Sequence, residues 1–412
     1  MNRVAPLVSA QGARPGPRLT VSAARDVAVV EVRVHAATGP ARAATRVAAT
    51  TVLLAGGPGR RPSAAARLDS LGARAWAIGD DFGITFALRC RPGDAETALG
   101  IVVAALLDAD RSPADAARIA REAASRPAPA PIDRLEAVLT AELFAPPPVL
   151  ADAEQLVDAR AAQVQAEREA LARTVTDVVV VGDAPPTGRL RRVLGPMPEP
   201  RPVRVDAALP SSGPVERRRV TGSGSGSTVL VVVAPRSEHG PAAERLAVHA
   251  VGGHVDARLQ RRLRQRDGLS YDVGAHLHRH PAGRWLVVRA RCAVEVADQV
   301  VDTVLEELVQ VHRHGLEERE VTVSRLLAAA EVARSTADYA GRANALTGYL
   351  ASGRRAEALL SAPQALREAP LERVVMASRD LTDLTRAAIG LVEPGGATEG
   401  SDLRRWRRAA QR

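Results

Sequence analysis

Hydrophobic positions divide the first half of the chain into short elements. The run 27–35 is rich in valine and partly alternates with polar residues, and the run 175–181 is similar, so both predict β-strands. Between these runs, apolar residues recur at intervals of three and four, which predicts amphipathic helices over 63–71, 94–107 and 151–173. Two further strands are predicted over 76–89, around a turn at 79–81, and further helices over 113–124 and 132–144. This half therefore has strands at both ends, with helices and a β-hairpin between them.

The second half repeats the same order of patterns. It begins with a predicted strand over 228–234 and a predicted helix over 242–266, followed by a β-hairpin over 270–293. A long helical tract over 317–367 leads to a last strand over 387–392. A repeat of this length predicts a duplicated domain of mixed helices and strands, not a solenoid.

A proline-rich stretch separates the two halves and ends in alternating glycine and serine at 222–227. This composition predicts an extended, flexible connector. We therefore predict an amino-terminal domain over 1–200, a linker over 201–227 and a carboxy-terminal domain over 228–394. The basic segment 395–412 is predicted to be a solvated terminus.

The positive charge of the chain does not indicate a nucleic-acid partner. All 56 basic residues are arginine, and the formal net charge is +9. A nucleic-acid surface concentrates its basic residues on one face. Here the arginines are scattered and interleaved with acidic residues, as in 118–122.

Targeting signals and cysteines add little to this description. Residues 1–12 lack the sustained apolar core of a signal peptide. The sequence also lacks the roughly 18 consecutive apolar residues of a transmembrane helix, so we expect a cytoplasmic protein without a membrane partner. The 2 cysteines are far apart and predict no disulfide framework.

The segment 251–273 carries the most specific pattern in the chain. It combines a Gly-Gly pair at 252–253, Arg-Leu at 258–259, Leu-Arg at 263–264 and Gly-Leu-Ser-Tyr at 268–271. This pattern closely resembles the carboxy-terminal half of insulinase-type (pitrilysin-family) zinc peptidases and of mitochondrial processing peptidase subunits. The downstream helices and final strand continue the resemblance, and the first half resembles the family's amino-terminal half more faintly.

The resemblance implies a fold and a bacterial context for the chain. The fold is α+β, of the α/β sandwich type, with two homologous halves. Each half is a mainly antiparallel sheet packed with helices, and the two halves close as a clamshell. Bacterial members of the family often pair a zinc-bearing chain with a chain that lacks the zinc ligands.

The zinc site of active family members has no counterpart in this sequence. Those members carry His-x-x-Glu-His on a helix of the amino-terminal half, where two imidazoles bind zinc and the glutamate activates water. The equivalent stretch here, 48–55, contains only alanine, threonine, valine and leucine, and no histidine lies between His35 and His239. Glu122 matches the position of the family's last glutamate ligand but cannot hold zinc alone, and we interpret it as a solvent-facing carboxylate of a helix. We therefore predict no metal and no cofactor in this chain, and zinc in a partner subunit.

An Arg–Tyr pair of the family is retained. In active members an arginine and a tyrosine of the second half bind substrate and stabilise the oxyanion of the tetrahedral intermediate, and the matching residues are Arg264 and Tyr271. A guanidinium and a phenol are both donors suited to developing negative charge. The alternative is that Arg264 continues an arginine-rich helix and Tyr271 packs at a strand edge.

Three histidines offer a different kind of site. His276, His278 and His280 alternate along a predicted strand, which places their imidazoles on one face. Such an arrangement suits a metal ion, but no carboxylate or thiol is nearby in the sequence. We therefore interpret these residues as ordinary polar positions of an exposed strand face.

Together these features predict a non-catalytic, substrate-binding subunit of a heterodimeric zinc metalloendopeptidase. The expected partners are a homologous subunit with the inverted zinc motif and a peptide, which would pair with a sheet edge. Leader peptides of ribosomal natural products are one candidate substrate class, by family analogy. The alternatives are a structural scaffold, like the core subunits of the respiratory cytochrome complex, and a self-associating peptide-binding protein.

Overall fold

The computed structural model of the chain describes residues 7–10, 16–23, 28–55, 62–108, 118–119, 130–151, 161–210, 218–222 and 225–395. Glu122 and residues 396–412 of the predicted tail lie outside the described residues. Within the described ranges the chain forms two large β-sheets, a short two-stranded ladder and the helices that cover the sheets.

The described strands are distributed along most of the chain. In chain order they are β1 (Leu7–Ala10), β2 (Arg18–Ala23), β3 (Val30–Ala36), β4 (Arg74–Gly79), β5 (Ile84–Cys90), β6 (Phe144–Ala145), β7 (Val175–Gly182), β8 (Leu209–Pro210), β9 (Arg218–Gly222), β10 (Ser227–Val233), β11 (Asp272–His280), β12 (Gly283–Cys292) and β13 (Ala387–Pro394). Valine dominates β7 and β10, and its branched side chain favours the extended backbone.

The helices occupy most of the remaining described residues. They are α1 (Ala43–Leu54), α2 (Ala64–Ser70), α3 (Ala95–Leu107), α4 (Pro131–Leu143), α5 (Ala161–Thr174), α6 (Thr187–Leu194), α7 (Pro241–Val248), α8 (Ala297–His314), α9 (Glu318–Ser335), α10 (Tyr339–Ala351), α11 (Glu357–Glu368) and α12 (Leu371–Leu381). Two π-helical turns, His249–Gly253 and Gln260–Arg266, follow α7. None of the described helices combines the length and the apolar character that crossing a membrane requires.

Each large sheet is mainly antiparallel, as predicted. The first has the strand order β1-β2-β7-β3-β5-β4, and the second has the order β11-β12-β10-β13-β9. Among the described strands, only β2 with β7 and β13 with β9 pair in parallel. The predicted α+β class is therefore confirmed, whereas closure of the two halves as a clamshell stays a prediction.

The chain folds into two compact units that do not follow the two halves of the sequence. One unit consists of 1–128, 150–205 and 334–360, and the other of 129–149, 206–333 and 361–412. The contiguous domains predicted over 1–200 and 228–394 differ from these units because each half of the sequence supplies a helical segment to the other unit. The predicted linker also differs, since β9 within it is a strand of the second sheet.

Helix α4 lies on the second sheet although it comes from the first half of the chain. It contacts β13, β10 and β9, and its buried face consists of Leu135, Leu139, Thr140 and Leu143. Gly390 of β13 permits the closest approach, because a Cβ atom there would lie 2.6 Å from Leu135 Cδ1. Burial of these leucines stabilises the unit by roughly 2 kcal/mol per side chain.

Helix α10 makes the reciprocal contact with the first sheet. It packs on β7 and β3, and every residue of β3 is buried. Arg33 of β3 is 1% exposed, and its Nε donates a hydrogen bond to Asn344 Oδ1 of α10 at 2.8 Å. The Arg33 charge is balanced by Glu31, whose Oε2 lies 2.9 Å from Arg33 Nη1. A buried guanidinium requires such partners, so these contacts fix the position of α10.

The predicted helices 242–266 and 317–367 are interrupted in the structure. The first is broken after the π-helical turn His249–Gly253, where Gly252 lies against β11: a Cβ atom would come within 2.8 Å of the Ala275 backbone nitrogen. The second divides into α9, α10 and α11, and the Asp338 side chain accepts a hydrogen bond from Gly341 N to begin α10. Close backbone approach and capping thus outweigh the continuous helical pattern.

We expect Gly390→Ala to lower the free energy of unfolding by about 1 to 3 kcal/mol, because the added methyl group overpacks the contact between β13 and α4. The control is Gly348→Ala on the exposed face of α10, where an added Cβ meets no neighbour. Alanine there should raise stability by up to about 1 kcal/mol. Urea denaturation followed by circular dichroism measures both changes, and equal stability of the two variants would contradict the close packing of α4.

Candidate functional site

Arg264 and Tyr271 flank one short turn. Arg264 lies near the end of the π-helical segment Gln260–Arg266, which precedes the turn, and β11 begins directly after Tyr271. Two backbone N–H groups close the turn, since Leu269 N and Ser270 N both donate to Leu263 O, at 2.8 and 3.1 Å. Arg264 and Tyr271 therefore each adjoin a residue of the same hydrogen-bonded pair, Leu263 and Ser270.

Side chains fix this turn to the sheet. Ser270 is 2% exposed, and its Oγ donates to Arg291 O of β12 at 2.6 Å. Gln260 Nε2 donates to Val273 O of β11. Gly268 has a φ of 63°, a conformation that glycine adopts without steric cost. Hydrogen bonds from Gln260 and Ser270 thus fix the backbone before and after the turn that separates Arg264 from Tyr271.

The Arg264 and Tyr271 side chains themselves are exposed. Tyr271 is 79% exposed, and Arg264 is also exposed. Neither side chain forms an ion pair or a hydrogen bond with any residue that the structure describes. Their donor groups are therefore available to an external acceptor, such as a peptide carbonyl or an oxyanion. The packing of Tyr271 at a strand edge, considered as the alternative, is not observed.

Glu320 supports the helical segment that precedes Arg264. Its carboxylate accepts hydrogen bonds from Arg258 at 2.8 and 2.9 Å, and a third from Arg261 Nη2 at 2.8 Å. Burial raises the pKa of the Glu320 carboxyl, but the hydrogen bonds from Arg258 and from Glu317 N, together with the charges of Arg258 and Arg261, outweigh this effect, so the pKa lies below its ordinary value. Glu320 thus ties α9 to the segment carrying Arg264 as a charged, bidentate partner.

The sequence alone assigns no role to Glu320. It contains only an indirect indication, because Arg258 belongs to the Arg-Leu pair at 258–259 and an arginine that is buried needs a carboxylate nearby. The Arg258 side chain is 16% exposed, and 62 residues separate it from Glu320. Only the tertiary fold shows which of the acidic residues in 317–320 meets it.

Helix α1 contains the stretch equivalent to the family's zinc motif. Its twelve residues include no histidine, cysteine, aspartate or glutamate, and the buried ones are alanine, threonine, valine and leucine. The hydroxyl of Thr51 donates to Val47 O, four residues earlier in the same helix, at 2.9 Å. This donor set does not fit zinc, which requires imidazole, thiolate or carboxylate ligands. Glu122 lies outside the described residues.

The three histidines of β11 do not share one environment. His276 and His278 lie near Glu136 of α4, and one donor atom from each of the three residues lies within 4.8 Å of the others. The His280 ring is instead buried, with Nε2 3.0 Å from Val149 O. No carboxylate is near these histidines in the sequence, because Glu136 is about 140 residues away along the chain and meets them only in the folded structure.

Comparisons with known proteins agree with the fold. Residues 176–326 match the family model described as the Peptidase M16 inactive domain. No curated protein matches the chain. Among solved structures, the peptidase M16 inactive domain from Pseudomonas fluorescens is similar, with 18% identity, a TM-score of 0.79, and coverage of 96% of this chain and 100% of that one.

Two further structures extend the comparison. An M16-like peptidase from Alicyclobacillus acidocaldarius has 14% identity and a TM-score of 0.73, covering 96% of this chain and 100% of its own. The periplasmic protease PqqL from Escherichia coli has 15% identity and a TM-score of 0.69, covering 95% of this chain and 46% of its own. These likenesses establish a shared fold, and with the family match they confirm the resemblance inferred from 251–273.

We expect His249, beside the Gly-Gly pair, to make the protein acid-sensitive. Desolvation by burial, together with the neighbouring His254, lowers the pKa of His249 from 6.5 to about 4. Because the folded pKa lies below the unfolded one, the folded state binds fewer protons between these values. The contribution of the neutral, buried His249 to the free energy of unfolding is therefore complete above pH 6.5. It decreases by up to about 3 kcal/mol as the pH falls from 6.5 to about 4.

The variant His249→Leu removes this titration, so its unfolding free energy should fall less than that of the native protein between pH 6.5 and pH 4. Urea denaturation at several pH values measures the difference. The control His314→Ala, at an exposed position of α8, should keep the native pH dependence. Parallel curves for the native protein and His249→Leu would show that His249 does not titrate in this window.

Proposed function

Since residues 176–326 match the model described as the Peptidase M16 inactive domain, we propose that the chain is the non-catalytic, substrate-binding subunit of a heterodimeric zinc metalloendopeptidase. One observation carries this proposal. The second unit holds Arg264 and Tyr271 exposed on a fixed turn, whereas α1 of the first unit offers no ligand that suits zinc. The chain thus supplies the substrate-binding residues of the proposed peptidase site, whereas α1 supplies no zinc ligand.

The chemistry of the retained half suits substrate binding. The guanidinium of Arg264 and the hydroxyl of Tyr271 donate hydrogen bonds to a substrate carbonyl, and more strongly to the oxyanion that forms on hydrolysis. The fixed turn holds both donors before the substrate arrives, which lowers the cost of ordering them. The metal and the general base would come from the homologous partner, where zinc supplies the Lewis acid.

One longer relative contains additional chain beyond the part that matches this protein. The chain covers 46% of the PqqL chain, so a single PqqL chain is about twice as long as the part that matches. The proposed enzyme pairs this chain with a second, homologous chain. We propose that the second chain carries His-x-x-Glu-His.

The proposed substrate is an extended peptide. An extended peptide adds to a sheet edge through main-chain hydrogen bonds. In the described part of the second sheet β11 is an edge strand, and Tyr271 directly precedes it. Leader segments of ribosomally made peptides are the substrate class that family analogy favours, and they are the first peptides to assay.

The partner is tested by native purification of the chain from its source organism, followed by mass spectrometry. We expect a homologous chain with His-x-x-Glu-His at a one-to-one ratio. Size-exclusion chromatography of the two co-expressed chains should then give a single heterodimeric species with zinc-dependent peptidase activity. Purification of the chain with itself alone would favour the peptide-binding alternative, and purification with membrane-complex or assembly proteins would favour the scaffold.

The donor roles are tested in the assembled enzyme. We expect Arg264→Ala and Tyr271→Phe each to lower kcat by about 10- to 100-fold while the heterodimer stays intact, because each variant removes a donor to the oxyanion. The control is Arg266→Ala, two residues from Arg264, whose side chain is 73% exposed and makes only a 3.8 Å ion pair with Asp267. Its kcat should match the native value. Native turnover in both Arg264→Ala and Tyr271→Phe would refute their role.

A further inference from the structure

Two histidines of the edge strand β11 and a glutamate of α4 meet on the second sheet. The alternation of side chains along β11 places His276 and His278 on the same face, with ring centroids 6.5 Å apart. Glu136 projects from α4 towards them, and its Oε1 lies 2.7 Å from His278 Nδ1. One donor atom from each of the three residues lies within 4.8 Å of the other two.

Trp285 of β12 fixes the orientation of this cluster. It is fully buried, and its Nε1 donates a hydrogen bond to Glu136 Oε1 at 3.1 Å. The His278 ring stacks on the Trp285 ring, with centroids 4.5 Å apart and an angle of 20° between the planes. A hydrogen bond to the carboxylate and packing of an imidazole are the outer contacts that orient ligands in metal sites.

We propose that Glu136, His276 and His278 bind a transition-metal dication of the Zn²⁺ class, with water in the remaining coordination positions. Two imidazoles and one carboxylate form a donor set that suits Zn²⁺, Co²⁺ and Ni²⁺. Ligand atoms about 2.0 to 2.2 Å from a tetrahedral ion are roughly 3.4 Å apart. The observed limit of 4.8 Å requires only small side-chain rotations to reach that geometry.

The protonation states of the cluster agree with ligand binding at neutral pH. Burial raises the pKa of Glu136, but hydrogen bonds from His278 and Trp285 and the nearby imidazoles outweigh it, so the pKa is lowered. Desolvation lowers the pKa of His276, and the charge of Arg289 acts in the same direction. An ionised carboxylate and a neutral imidazole are the forms that coordinate metals. An entering ion would replace the proton between His278 and Glu136.

This site differs from the zinc site of the family in position and in ligand set. It lies in the second unit and joins α4, which the first half of the sequence supplies, to the edge strand β11. A bound ion would therefore clamp the exchanged helix to its sheet and stabilise the folded protein by mass action. The His276 side chain is exposed, which gives the ion a path from solvent.

The experiment uses the full-length chain without a histidine tag, treated with chelator and then dialysed. Isothermal titration with ZnCl₂ at pH 7 should give one site per chain, and saturating Zn²⁺ should raise Tm. Glu136→Gln and His276→Ala should each weaken Zn²⁺ binding at least tenfold and abolish the rise in Tm. His314→Ala, which removes an exposed histidine outside the cluster, should bind like the native protein.

A spectroscopic signal tests the location independently of stability. Trp285 contacts both Glu136 and His278, so Co²⁺ or Ni²⁺ in the site should quench its fluorescence. Native-like Zn²⁺ affinity in both Glu136→Gln and His276→Ala, or an equal loss in His314→Ala, would overturn the proposal. Circular dichroism of each metal-free variant separates lost binding from misfolding. These readouts do not depend on the peptidase proposal.

Discussion

β3 and β10 are almost completely buried, so each sheet must be covered by helices on both of its faces. The chain meets this requirement because each half of the sequence supplies a helix to the other unit: α4 covers the second sheet and α10 covers the first. The exchanged helices are held differently. Leu135 of α4 packs closely against a glycine in β13, whereas α10 accepts a hydrogen bond from the buried Arg33. Neither half of the sequence can therefore complete its own sheet.

The backbone of the candidate site is likewise fixed by contacts between different elements of the second unit. The turn that carries Arg264 and Tyr271 is fixed by hydrogen bonds to β11 and β12, and the preceding helical segment is tied to α9 by the charged contacts of Glu320. Buried polar contacts of this kind are costly to break. The backbone that carries two exposed donors is thus fixed although their side chains have no partners among the described residues, an arrangement that suits the proposed binding of an external oxyanion.

The two units share an architecture and differ in chemistry. The buried residues of α1 are alanine, threonine, valine and leucine, none of which is a ligand that suits zinc. The second unit has the fixed Arg–Tyr turn and, at the edge of its sheet, the cluster of Glu136, His276 and His278. A duplicated fold therefore does not determine which side chains its equivalent positions carry.

The sequence by itself determined the α+β class and contained the Arg-Leu, Leu-Arg and Gly-Leu-Ser-Tyr motifs of 251–273, because strand and helix periodicity and short motifs are local properties of the chain. It did not determine which unit α4 and α10 join, the interruption at Gly252, or the partners of Arg258 and His278. Those features depend on residues tens to hundreds of positions apart that meet only when both sheets are covered. Periodicity shows which face of an element is apolar, but not which distant face it covers.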